Sequence, residues 1–261
     1  MLAGGMSLPK TLENTAVISN MEVSPNIRKL ILYAPNIVSQ ARPGQFVHLK
    51  VSASSDPLLR RPFSIGSVSL KDNALTIFYR IVGRGTEMMA QLKENDVVNC
   101  LGPLGRGFEL NGKRPLLIGG GMGIAPLLFL AERLYPRPSQ VLIGGRTETE
   151  LFWRRFFTAS CERIVLTTDD GSIGMRGTTI DALPELLAEK FDMVYACGPK
   201  LMLKGVVDKV RDAGIPCQVS LEEHMACGLG ACLSCTCQAT DGTRKKICAD
   251  GPVFWAKEVV W

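Results

Sequence analysis

At 261 residues the chain is long enough for two domains and a small appendage, and its 46% hydrophobic content supplies a sizeable core. A net charge of +5, with acidic and basic residues alternating along most of the sequence, is too mild and too dispersed to indicate a nucleic-acid partner. The nine cysteines are an odd number, and the start MLAGGMSLPK has no apolar core of an export signal, so the mature chain is expected to begin near here. Such cysteine use fits the reducing cytoplasm, where thiols stay free to bind metal.

From Thr15 to about Leu101 short β-type runs follow one another: TAVISN, IRKLILYA, GQFVHLKV, PFSIGSVSL, ALTIFYRIV and DVVNCL. Separated by turn residues, they predict an antiparallel β-barrel or sandwich. Asp72 and Asn73 supply one turn, after which Leu75, Ile77 and Tyr79 share one face and Thr76, Phe78 and Arg80 the other. A short helix is expected over Thr86 to Leu92. Glycines and prolines from Gly102 to Pro115 then mark a boundary, placing the first domain at residues 1–110.

The rhythm next changes to apolar strands alternating with helical patterns: RPLLIGG then PLLFLAERL, VLIGG then ELFWRRFF, RIVLTT then IDALPELLAEK, and MVYACG then KLMLKGVVDKVRDAG. This alternation predicts a parallel sheet covered by helices over residues 111–217, with ligands at the carboxyl ends of its strands. The uncharged stretch Pro115 to Ala131 approaches membrane-span length, but its glycines and Pro126 make it a strand, a turn and a helix, so no membrane span is expected. The turn GGGMGIAP, Gly119 to Pro126, suits a pyrophosphate because glycines let N–H groups approach and the helix N-terminus favours negative charge. It is not G-x-G-x-x-G, since Pro126 stands where the third glycine belongs; a tight turn without ligand is the alternative.

In the barrel, Arg61-Pro62-Phe63-Ser64 opens one strand, and Tyr79-Arg80 ends another before Gly83-Arg84-Gly85-Thr86. Two arginines beside a small-residue turn into a helix suit a flavin pyrophosphate, and surface arginines on ordinary strands are the plainer reading.

Residues 218–261 read as irregular, and Cys227, Cys232, Cys235 and Cys248 stand in them as C-x4-C-x2-C with a fourth cysteine twelve residues on. That is the plant-type spacing of a two-iron, two-sulfur cluster. Gly228 and Gly230 let the loop wrap closely and aim N–H groups at sulfur. Zinc usually takes cysteine pairs on separate turns, whereas three thiols here crowd one loop. Spacing leaves Cys237 open as a ligand. His224 alone cannot make a Rieske centre, and His48, the other histidine, is far away in sequence.

The order of R-P-F-S and G-x-G-T, then G-G-G-x-G-I-A-P and Cys197-Gly198-Pro199, then the cysteine segment resembles the ferredoxin–NADP reductase superfamily. Most closely it resembles the electron-transfer subunits of B-type dihydroorotate dehydrogenase, over nearly the whole chain. EEHMACGLGACLSC followed by KKICADGPVF is the most specific part, and TDDGSIGMRGTTID, Thr168 to Asp181, also matches. The resemblance implies FAD against Arg61, Pro62, Phe63, Ser64, Phe78, Tyr79, Arg80, Gly85 and Thr86, with Arg61 on phosphate and Ser64 at the ring edge. It implies a nicotinamide nucleotide against Gly120, Gly121, Gly123, Cys197, Gly198 and Pro199, with Ser64 and Cys197 as catalytic positions and Cys197 close to the reactive ring.

It further implies a cytoplasmic oxidoreductase subunit of pyrimidine biosynthesis, joined two plus two with an FMN-containing catalytic subunit that oxidises dihydroorotate. Electrons would pass between that FMN and NAD through the [2Fe-2S] cluster and FAD. Other members of the superfamily serve ferredoxin, sulfur-reducing or hydrogenase partners, and a zinc-stapled nucleotide-binding regulator is a reading of another class. The family implies NADH, while Arg146, after the second parallel strand, leaves NADPH open.

Overall fold

The computed structural model describes residues 10–52 and 54–261. The stretch read as free of an export signal lies outside them, apart from Lys10.

Six antiparallel strands, β1 (Thr11–Ser24), β2 (Ile27–Tyr33), β3 (Phe46–Lys50), β4 (Arg61–Ser69), β5 (Ala74–Arg80) and β6 (Val97–Leu104), close into a barrel in the order β1-β2-β5-β4-β3-β6. The short helix α1 (Pro35–Val38) lies between β2 and β3, and α2 (Arg84–Ala90) follows β5. Alternation sorts β5 as the sequence predicts. Leu75, Ile77 and Tyr79 enter the barrel core, and Phe78 turns outward onto Trp153 and Phe156, with ring centroids 4.8 and 5.2 Å away. Asn73 takes φ +51° in the β4–β5 turn, a left-handed conformation that asparagine tolerates.

Several boundaries differ from the sequence reading, two of them in the barrel for clear local reasons. Helix α2 starts two residues early because Thr86 Oγ1 accepts from the N–H groups of Val82 (2.9 Å) and Gly83 (3.2 Å), capping the turn. Strand β6 runs on through Gly102 and Pro103, where a side chain on Gly102 would meet Val47 at 2.7 Å.

The second sheet contains β7 (Pro115–Gly120), β8 (Gln140–Gly145), β9 (Arg163–Thr168), β10 (Met175–Arg176), β11 (Met193–Cys197) and β12 (Cys217–Ser220). Helices α3 (Ala125–Leu134), α4 (Arg154–Phe157), α5 (Thr179–Leu187) and α6 (Lys200–Asp212) connect them. The order β10-β9-β8-β7-β11-β12 puts the point where the winding reverses between β7 and β11. Ligands of such sheets bind at that crevice. No helix among the described residues is long and apolar enough to cross a membrane.

The last segment is less irregular than its composition suggests. A hairpin forms from β13 (Thr236–Gln238) and β14 (Arg244–Lys246), and β15 (Val253–Trp255) joins the large sheet antiparallel to β12, with Ser220 opposite Val253. The expected division at 217/218 therefore falls inside β12. CQVS alternates apolar and polar residues, but a run of four is too short to read as a strand on its own.

Candidate functional site

A cavity of about 660 Å³ opens where the barrel meets the other two parts of the chain. Its wall includes every residue that the resemblance assigns to the flavin: Arg61, Pro62, Phe63, Ser64, Phe78, Tyr79, Arg80, Gly85 and Thr86. Helix α2 presents its first turn here, and Gly85 leaves the room that Arg61 fills, since a Cβ there would lie 2.9 Å from Nε of Arg61. The Arg61 guanidinium thus packs on the first turn of α2 at the cavity wall, with one of its N–H groups donating to the carbonyl of Leu59. Phe78 and Tyr79 contribute little side-chain surface. The ring of Phe78 is packed against Trp153, and Tyr79 turns inward, its hydroxyl donating to Oδ1 of Asn20 at 3.0 Å.

A second cavity of about 440 Å³ lies at the β7–β11 switch point, walled by Gly120, Gly121, Gly123, Gly198 and Pro199, residues that the resemblance assigns to the nucleotide. Gly121, at φ +59°, starts the 3-10 turn Gly121–Ile124, and Pro126 sits in the first turn of α3, where its missing N–H costs nothing. Gly123 touches the opposite loop directly: a Cβ on it would fall 2.6 Å from the N and Cα of Gly198. The two cavities share Gly121, Met122, Leu221, Glu222 and Glu223 as a common wall.

Cys197, assigned by the resemblance to the nicotinamide ring, lies outside the cavity that these glycines wall. It is fully buried, lines neither cavity, and packs in the core with Leu127 and Leu130 of α3. Its register opposite Gly119 and Ser220 fixes this, because strand alternation sends its side chain to the α3 face while the cavity lies at the strand ends. Burial, with Glu222 nearby, pushes its thiol far above the ordinary range. Strand β11 delivers Gly198 and Pro199 to the site instead.

Glu222 was not legible in the sequence. It stands in the wall between the cavities, reached by solvent through them yet surrounded by protein, and that desolvation raises its carboxyl above the usual value.

All nine cysteines are free thiols. Gly228 at φ +68° and Gly230 at +85° bend the loop so that Leu229 N–H donates to Sγ of Cys227 (3.3 Å) and Gly230 N–H to Sγ of Cys248 (3.1 Å). Cys248 N–H donates to Sγ of Cys235 at 3.5 Å. The thiols stand in pairs, Cys227 beside Cys232 and Cys235 beside Cys248. Two thiolate pairs fit a cluster in which each iron takes two protein ligands. Burial works against ionisation of Cys227, but N–H groups of Leu229, Cys232 and Ala231 outweigh it and bring the thiol down to about 6.

The pairs differ in depth. Cys235 and Cys248 are buried in one apolar cluster with Phe46, which also lines the flavin cavity, whereas Cys232 is exposed between the exposed Leu229 and Leu233. Cys237, left open by spacing, lines the nucleotide cavity instead, and His224 is exposed.

Residues 222–260 match the family model for the iron-sulfur cluster binding domain of dihydroorotate dehydrogenase B, and residues 14–108 that for the oxidoreductase FAD-binding domain. The dihydroorotate dehydrogenase B (NAD(+)) electron transfer subunit of Bacillus caldolyticus is 43% identical, over 95% of this chain and 98% of that one. Its counterpart from Desulforamulus reducens is 41% identical, over 94% and 97%. Among solved structures, an NADH-dependent reduced ferredoxin-NADP oxidoreductase studied for flavin-based electron bifurcation superposes with a TM-score of 0.85 at 30% identity, covering 99% of this chain and 91% of that one. A ferredoxin NADP+ reductase from Neisseria gonorrhoeae with bound FAD and NADP shares the fold, with a TM-score of 0.66 at 20% identity over 78% of this chain and 92% of that one. By identity over nearly its whole length, this chain belongs to the family of dihydroorotate dehydrogenase B electron transfer subunits.

Proposed function

We propose that this chain is the electron-transfer subunit of an NAD-dependent dihydroorotate dehydrogenase, serving pyrimidine biosynthesis in the cytoplasm. The observation that carries the reading is contiguity. The flavin cavity shares one wall with the nucleotide cavity and, through Phe46, another with the buried thiol pair. When bound, FAD exchanges a hydride's two electrons with NAD and passes them singly, the only way the cluster carries them.

The protein's part is positioning. Arg61 and the first amides of α2 hold the pyrophosphate of FAD, and Ser64 offers its hydroxyl at the ring edge. The main chain of Gly120 to Gly123, with Gly198 and Pro199, orients the nicotinamide nucleotide, and Cys197 supports that loop from beneath. Cys227, Cys232, Cys235 and Cys248 hold the cluster. Arg146 is exposed and pairs with Glu150 at 2.9 and 2.6 Å, a contact that a ribose phosphate would have to displace, and the NAD(+) enzymes to which the relatives belong support NADH. Dihydroorotate meets only the FMN-containing partner, in a complex of two plus two.

Removing the side chain in Arg61→Ala is expected to weaken FAD retention roughly ten- to a hundredfold, the worth of a charge-assisted hydrogen bond of about 1.5–3 kcal/mol. Flavin absorbance after gel filtration measures it. Arg61→Lys should recover only part, because an ammonium lacks the guanidinium fork.

Co-expression with the FMN subunit tests the function. The complex should form NADH from dihydroorotate and NAD, and the loaded chain alone should pass electrons from NADH to artificial acceptors. A loaded chain that reduces acceptors but gives no dihydroorotate-dependent NADH with that partner would sink the assignment. Its similarity to the NADH-dependent ferredoxin oxidoreductase would then favour a ferredoxin partner.

A further inference from the structure

His48 is fully buried, and neither Nδ1 nor Nε2 has a hydrogen-bond partner. An orphaned buried polar atom costs about 1–3 kcal/mol, so a native chain that keeps two on one ring calls for a partner at that spot. On β3, Val47 and Leu49 point into the barrel core, and Phe46 and His48 point out of it. Phe46 reaches the flavin cavity and the apolar cluster around Cys235 and Cys248, and its ring meets that of His48 edge-on at 5.7 Å. The imidazole faces Gly228, the residue after Cys227. A Cβ on Gly228 would lie 2.7 Å from Cε1 and 2.8 Å from Nδ1, so the ring occupies the space that glycine leaves.

Burial, aided by the Arg60 guanidinium, lowers the His48 imidazole to about 4. The neutral ring carries one N–H donor in either tautomer and the protonated ring two, so a donor is present in every state. The loop against it carries thiolate sulfur, and Leu229 already donates an N–H to Cys227. Sulfur is an acceptor in want of donors, and hydrogen bonds to cluster sulfurs set the reduction potential.

We propose that His48 is a positioning residue for the iron-sulfur centre: its ring N–H donates to a sulfur of the cluster held by the Cys227 loop, fixing the loop against the barrel and raising the cluster's reduction potential. The inference rests on the cluster reading above. It makes one barrel strand the support of both redox sites, Phe46 for the flavin and His48 for the cluster.

The chain contains two histidines, so a full-length His224→Gln protein grown on 15N-histidine carries the label at His48 alone. Pulsed EPR of its reduced cluster should show a 15N coupling. His48→Leu should lose that coupling and shift the cluster midpoint to more negative potential at unchanged flavin content, while His48→Gln, which keeps an N–H donor, should recover part of the shift. A labelled protein with full iron and sulfide content but no 15N coupling overturns the proposal, even if His48→Leu fails to fold. A wild-type chain that takes up no iron and sulfide overturns the cluster reading itself, and this inference with it.

Discussion

Cys232→Ser is expected to lose the iron-sulfur absorbance and the EPR signal on reduction, and Cys237→Ser to keep both. The two thiols are five residues apart, yet they lie in different sites. Cys232 pairs with Cys227 at the exposed end of the cluster loop, while Cys237 lines the nucleotide cavity from β13. Losing a direct ligand should cost more than the 10–100-fold in metal affinity typical of outer supporting groups. Dihydroorotate-dependent NADH formation should therefore fall by at least roughly 100-fold in the complex, with NADH oxidation by artificial acceptors largely kept. That split separates the cluster from the flavin. Retention of a normal signal in Cys232→Ser would show that the ligand set or the nuclearity is wrong.

Gly123→Ala should raise the KM for NADH at least tenfold, about 1.4 kcal/mol of binding. The obstacle is backbone: the added methyl falls 2.6 Å from N and Cα of Gly198 and 2.8 Å from the carbonyl carbon of Cys197, atoms with no rotamer to yield. The two nucleotide loops must then part, spoiling the distance that both need to grip one ligand. Flavin content should not change, because Gly121 and Met122 border the flavin cavity and Gly123 does not. Steady-state kinetics with flavin absorbance on the same sample measures both. An unchanged KM would mean that the loops do not act together on the nucleotide.

Local rules made much of this legible. Period-two alternation divided β5 between barrel core and interface, the glycine turn lay at a strand end, and C-x4-C-x2-C marked the cluster loop. What escaped depends on residues far apart in the chain. Cys197 sits at a strand terminus, and only the pairing of β11 with β7 and β12 shows which face its thiol takes. Strand β12 exists because β11 and β15 flank it. Glu222 matters through two cavities that no single segment forms. His48 read as an isolated histidine, although its neighbour Gly228 was already notable for its freedom of backbone. A glycine in a tight loop shows that something comes close, and the fold supplies what that is.

The pairing of Ser220 with Val253 bears on how the holoprotein matures. The whole cysteine segment leaves and re-enters the large sheet at one place, so strand pairing shares with the cluster the entropy of closing that loop. Cys232 is the surface-exposed end of the cluster loop, and the Cys235–Cys248 pair is its inner seat. A chain starved of iron should accumulate as a folded flavoprotein awaiting its metal, and later loading should need no refolding of the barrel.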